Sequence, residues 1–279
     1  MKFRYLGTAA AEGFPGMFCV CDACKRARIA GGRNIRGRSQ AIIDGKLLID
    51  FPADTCMRVL NGTLDLPAIH DCIITHRHSD HLYAPDLEMR KKGMCKADGE
   101  VFRIYASRPA SDIIKETMDI YDLYEVVELH AIKPFDVFTV AGEYKVTALP
   151  ASHDPKVIPD GGRAVFYIIE KDGKRILYAH DTGYFPEETW KFLEENRPYF
   201  SLASLDCTGG PLPLRVNHMG LAACKEVTDR LKACGCFDGS TRVIINHFSH
   251  NGGLIHDELV PVAAEYGFEV SYDGFELTV

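Results

Sequence analysis

The stretch CIITHRHSDHL (72–82) constrains this chain more than any other, because a short apolar run passes at once into three histidines and an aspartate. CIIT reads as a buried strand, so His76, His78, Asp80 and His81 fall in the loop at its end, where sheet proteins build sites. Alternation along an extended chain sends His76 and His78 to one side, and the turn that follows brings Asp80 and His81 within reach. Imidazole and carboxylate are ligands of Zn, Mn and Fe, and four of them exceed what one open zinc site needs. Two metals are implied. Further candidates stand in matching places, each just past an apolar strand: His153 after YKVTALPAS, Asp181 after RILYAH and His247 after TRVIIN. Alone, each reads equally as a turn or capping residue; the recurrence of strand then ligand gives them weight.

The rest of the pattern supplies a scaffold for that loop. KFRYLG (2–7) reads as a strand, and QAIIDGKLLIDF (40–51) and AVFYIIEKDGKRILYAHD (164–181) each read as two strands joined by an Asp-Gly turn. Further strands are expected at VFRIYA (101–106), EVVELH (125–130), FTV (138–140), YKVTAL (144–149), residues 200–206, TRVIIN (241–246), FEVSY and FELTV. Helices are expected over about 110–124, 186–195, 219–234 and 255–266. Strand-rich halves that each carry helices point to a layered α/β protein. No Pro/Ser/Gly linker divides the chain, so residues 1–279 are expected to form a single domain.

The motif His76-x-His78-x-Asp80-His81, followed by His153, Asp181 and His247, resembles the full ligand set of the metallo-β-lactamase-fold hydrolases. The resemblance implies an αββα four-layer sandwich with a dinuclear metal site (Zn or Mn) at one edge. It puts one metal on His76, His78 and His153, the other on Asp80, His81 and His247, and Asp181 between them. Where the lactamases proper have a cysteine, this chain has Asp181.

A second cluster, FCVCDAC (18–24), offers Cys19, Cys21 and Cys24, and the alternatives from the residues alone are buried thiols or a metal site lacking its fourth ligand. His250 lies three residues past His247 with no catalytic role left to it. This pairing resembles the branch of the superfamily that holds the phosphoribosyl cyclic phosphate phosphodiesterase of phosphonate degradation. That branch implies a closed structural zinc, here on Cys19, Cys21, Cys24 and His250, forming a Cys-rich loop at about 18–25. The same branch assigns general-acid or phosphate-orienting work to His218 in VNHMG, lets Asp80 accept a proton while serving as a ligand, and draws Arg36 and Ser39 toward substrate.

The expected activity is therefore metal-dependent hydrolysis of a small or cyclic phosphodiester by a hydroxide held between the metals. A tRNA 3′-processing nuclease and a glyoxalase II-type thioester hydrolase share the ligands, and a non-catalytic protein of pyrroloquinoline quinone assembly shares the cysteine site. A net charge of -7 offers no general attraction for nucleic acid or anionic membrane. Neither partner is expected; a homodimer is admitted. Ten cysteines without an apolar leader fit a cytoplasmic protein with thiols or metal ligands. The basic run KRARIAGGRNIRGRS (25–39) reads either as a solvated face or as a local patch for phosphate.

Overall fold

The computed structural model describes residues 1–96, 98–154 and 163–279. Its strands are β1 (Lys2–Gly7), β2 (Gln40–Ile43), β3 (Leu47–Ile49), β4 (Asp71–Ile74), β5 (Phe102–Ser107), β6 (Val127–Ile132), β7 (Val137–Val140), β8 (Tyr144–Pro150), β9 (Val165–Lys171), β10 (Lys174–Ala179), β11 (Leu202–Asp206), β12 (Arg242–Asn246), β13 (Glu269–Val270) and β14 (Glu276–Thr278). Helices are α1 (Asp22–Ala30), α2 (Asp54–Leu60), α3 (Arg108–Tyr121), α4 (Glu187–Asn196), α5 (Leu221–Ala233) and α6 (His256–Glu265). None of the described helices is long and apolar enough to cross a membrane.

The strands form two seven-stranded sheets, ordered β14-β1-β2-β3-β4-β5-β6 and β13-β12-β11-β10-β9-β8-β7. Each sheet is antiparallel over one half and parallel over the other. Both Asp-Gly turns close hairpins as expected, with Asp44 at φ 52° and Asp172 at φ 51°, each followed by a glycine that is also left-handed.

Because β-residues alternate sides, the strands show how the layers stack. Ile176 and Tyr178 face Phe3, Ile43 and Ile73 in the core between the sheets. Leu177 and Ala179 face outward onto Trp190, Leu193, Val227 and Leu259 of α4, α5 and α6. On the opposite side Ile42, Leu48 and Ile74 pack under Ala110, Ile114 and Met118 of α3. The result is the αββα sandwich. Burial on both faces explains why these strands read as continuous apolar runs.

Two helices escaped the sequence reading. In α1 the buried stripe is only Ala23, Cys24 and Ala27, set among charges, and α2 spans seven residues with Thr55 and Arg58 as its buried members. Neither stripe is apolar enough to signal a helix.

Strand direction gathers the ligands. β8 and β10 both run antiparallel to β9, and β10, β11 and β12 are mutually parallel, so their C-terminal ends share one edge. In the other sheet β3 and β4 are parallel and also end together. Open sheets receive ligands beyond such carboxyl ends.

Candidate metal centre

Asp50, the residue after β3, organises the first ligand loop. Its carboxylate accepts from Thr75 N at 2.8 Å, from Thr75 Oγ1 at 2.9 Å and from His81 Nδ1 at 2.7 Å. With Nδ1–H spent on Asp50, His81 turns Nε2 inward, to 3.1 Å from Asp181 Oδ2 and 3.4 Å from Asp80 Oδ2.

Asp206, the last residue of β11, does the same on the second sheet. It accepts from Asp181 N at 3.1 Å, Met219 N at 2.9 Å and Thr208 Oγ1 at 3.0 Å. The Thr208 hydroxyl in turn takes the proton of His247 Nδ1 at 2.7 Å, so His247 also presents Nε2 inward, 3.2 Å from that of His81.

The expected ligands converge as two groups that share one aspartate. His76, His78, His153 and Asp181 have donor atoms within 4.8 Å of one another, and so do Asp80, His81, Asp181 and His247. Three chain positions bend sharply to achieve this: Asp50, Asp181 and His247 follow strands with φ of 68°, 53° and 66°. Left-handed backbone at such residues costs about 1–3 kcal/mol each, and clusters of it mark sites.

The donor set fits divalent cations. His76 Nε2 and Asp181 Oδ1 are buried without a hydrogen-bond partner. His76 Nε2 lies 3.0 Å from Asp181 Oδ2, close enough for attraction but off the hydrogen-bond axis. The Nε2 atoms of His81 and His247 face each other at 3.2 Å and both turn toward Asp181, an arrangement a divalent cation would bridge once the His81 proton is displaced. Histidines whose outer nitrogen is tied to a carboxylate or hydroxyl are typical metal ligands.

Electrostatics agree. Burial opposes ionisation of Asp181, yet His247 and His76 outweigh it and hold the carboxyl well below the usual range. Asp80 is displaced the same way, with burial overcome by His81 and His247. Burial and the charge of His81 push His76 down to about 4, which leaves it neutral and ready to ligate. Burial would lower His81, but Asp50 and Asp80 raise it well above an ordinary imidazole.

Metal uptake must therefore displace a proton from His81. Zinc added to the metal-free protein in weak buffer should acidify the solution, and apparent affinity should keep rising as pH climbs above the ordinary imidazole value of about 6.5. Uptake without proton release would contradict the raised His81.

His218 stands beside the cluster. Its Nδ1 lies 3.0 Å from Asp181 Oδ1 and 3.2 Å from Asp206 Oδ2. Burial disfavours its charge, but Asp206 and Asp181 push it up to about 11. The ring stacks on His247 and lines a cavity of about 330 Å³ together with His78, Asp80, His153 and Asp181.

The cysteine group is also assembled. Cys19 Sγ and Cys21 Sγ each lie 3.5 Å from His250 Nδ1, and all four expected ligands have donor atoms within 4.8 Å. Cys21, just ahead of α1, is lowered to about 6 chiefly by the Cys24 backbone, whereas burial pushes Cys24 up to about 12. The backbone adds a second tie, since Phe248 N donates to Thr8 O and Ala10 N to Phe248 O.

Arg36 and Ser39 are not brought to the cavity. The Arg36 guanidinium is buried and donates to Thr8 Oγ1 at 2.8 Å and Ser271 O at 2.7 Å, while Ser39 is buried against His180. The basic run is likewise spent internally: Arg26 pairs with Glu258, Arg28 donates to Gly16 O and Cys19 O, and Arg38 pairs with Asp54. It forms no patch at the cavity. His180 turns away from the ligands, its Nε2 2.6 Å from Ser204 Oγ.

Asp50, Asp206 and Thr208 were missed in the sequence. The strand-then-ligand rule that found Asp181 also describes LLID and LASLD, so it could have found both aspartates.

Residues 48–248 match the family model described as a beta-lactamase superfamily domain. No curated protein matches the chain in sequence. Among solved structures, Zn²⁺-bound PqqB from Methylobacterium extorquens is similar over 100% of both chains, with TM-score 0.77 and 19% identity. A diphosphatase of the PhnP family is similar over 100% of this chain and 97% of its own, with TM-score 0.73 and 20% identity. Human tRNase Z, short form, is similar over 100% and 99%, with TM-score 0.67 and 16% identity. At these identities the likeness is one of fold.

Proposed function

The chain belongs to the beta-lactamase superfamily, whose fold is that of metal-dependent hydrolases, and on that premise we propose that it hydrolyses small or cyclic phosphodiesters. The carrying observation is His218 at the cavity wall, its Nδ1 3.0 Å from Asp181 Oδ1 and 3.2 Å from Asp206 Oδ2, two carboxylates that favour its charged form.

His76, His78 and His153 would hold one divalent metal, and Asp80, His81 and His247 the other, with Asp181 shared. Zinc and manganese both suit these donors. When bound, such a pair acidifies a water and polarises the phosphoryl oxygens. Cys19, Cys21, Cys24 and His250 would hold a further zinc with no open position, which is structural.

The side chains do the rest. Asp50 fixes the ring of His81, and Thr208 relays His247 to Asp206, so the ligands keep their orientation without substrate. His218 engages Asp181 and Asp206 through Nδ1 and gives the proton on Nε2 to the departing alkoxide. Asp206 restores its charge when it recovers a proton from water. Asp80 also lines the cavity wall, but His81 and His247 hold its carboxyl well below the usual range, which suits it to ligation more than to accepting a proton.

The test is hydrolysis of bis-p-nitrophenyl phosphate and a 2′,3′-cyclic nucleotide by protein loaded with Zn or Mn, beside a glutathione thioester. Turnover of the diesters is expected. Turnover of the thioester alone would sink the proposal.

A further inference from the structure

The wall that the N-terminal segment lends to the cavity carries an acid. Glu12 lines it beside Ala10, Ala11, Ser249 and Asn251. Its Oε1 accepts from Ser249 Oγ at 2.5 Å and lies 3.6 Å from His250 Nε2. This anchors the carboxylate, and among the described residues Oε2 accepts no hydrogen bond. Equally telling is the composition of the lining: among the described residues it includes no lysine or arginine. The arginines nearest in sequence are bonded elsewhere, as Arg26, Arg28, Arg36 and Arg38 show.

A reacting phosphodiester brings one negative charge, which the divalent metals, where bound, would offset. A second phosphate or carboxylate on the same molecule meets no lysine or arginine among the described residues of this lining and faces Glu12. Like charges brought together in a site of reduced dielectric are strongly disfavoured. A neutral hydroxyl, by contrast, can donate to the free Oε2.

We propose that the cavity selects diesters whose only charge is on the reacting phosphate, and that Glu12 sets this selectivity by accepting a hydroxyl of the neutral group beside it. The inference rests on the phosphodiesterase reading and narrows it. A phosphoribosyl cyclic phosphate, with its additional phosphate, is then a poor substrate.

The experiment compares uridine 2′,3′-cyclic phosphate with its 5′-phosphorylated form on the metal-loaded protein, with bis-p-nitrophenyl phosphate alongside. Wild type should favour the singly charged nucleotide by about tenfold or more in kcat/KM. Glu12→Gln keeps a partner for Ser249 but removes the charge, and should shrink that ratio by about fivefold. Glu12→Lys should reverse the preference. Equal rates on the two nucleotides, or a ratio unmoved in both variants at unchanged metal content, would overturn the inference alone. No turnover of bis-p-nitrophenyl phosphate by wild type would overturn the phosphodiesterase reading and the inference with it.

Discussion

Replacing His218 by alanine should lower kcat for an alkyl phosphodiester by about 10²–10⁴ while leaving the metal content intact, the range expected for loss of a placed general acid. The imidazole is outside both groups assigned as metal ligands, so its removal need not empty them. The effect should depend on the leaving group. A p-nitrophenolate departs with little protonation, so bis-p-nitrophenyl phosphate should suffer far less than the alkyl ester. A merely structural role would slow both substrates alike, and that result would remove His218 from the mechanism. The charge has a linkage consequence too. In the metal-free protein Asp206 and Asp181 raise His218 to about 11 against burial, so its stabilising contribution is complete below the unfolded imidazole value, near 6.5, and is lost as pH rises through about 11.

Cys21→Ser should cost one tightly bound zinc per chain and lower Tm on the order of 10 °C, because a closed structural zinc contributes directly to folding free energy. The effect should reach the active site as well. His250 is three residues from His247 and faces Cys19 and Cys21, so freeing it loosens the loop that carries a catalytic ligand. Metal analysis on the purified variant and its melting curve check both parts. Full zinc retention would show that the thiols pack without a metal.

How much of this was legible in the sequence depended on whether a residue advertised itself by its neighbours. His76, His78, Asp80 and His81 did, because no ordinary loop needs four such side chains after a buried strand. Asp181 and His247 did so by position, just past apolar runs. Asp50 and Asp206 stand in the same place but read as the ends of the strands expected at 40–51 and 200–206, since their hydrogen-bond partners lie far along the chain: 31 residues for His81 and 25 for Asp181. The basic run left two readings open for the opposite reason. Local charge density resembled a phosphate patch, but the acceptors that neutralise it, such as Glu258 for Arg26, become neighbours only through the fold. Glu12 gave no signal at all, being one acid in a small-residue loop until the cavity formed around it.

The ligands divide between the two sheets. His76, His78, Asp80 and His81 come from the loop after β4 in one, and His153, Asp181 and His247 from the ends of β8, β10 and β12 in the other. Every cation bound as proposed would thus be gripped from both halves of the sandwich. The metals would then be clasps at an open seam, and catalytic loading and the mechanical closure of the molecule would be one event.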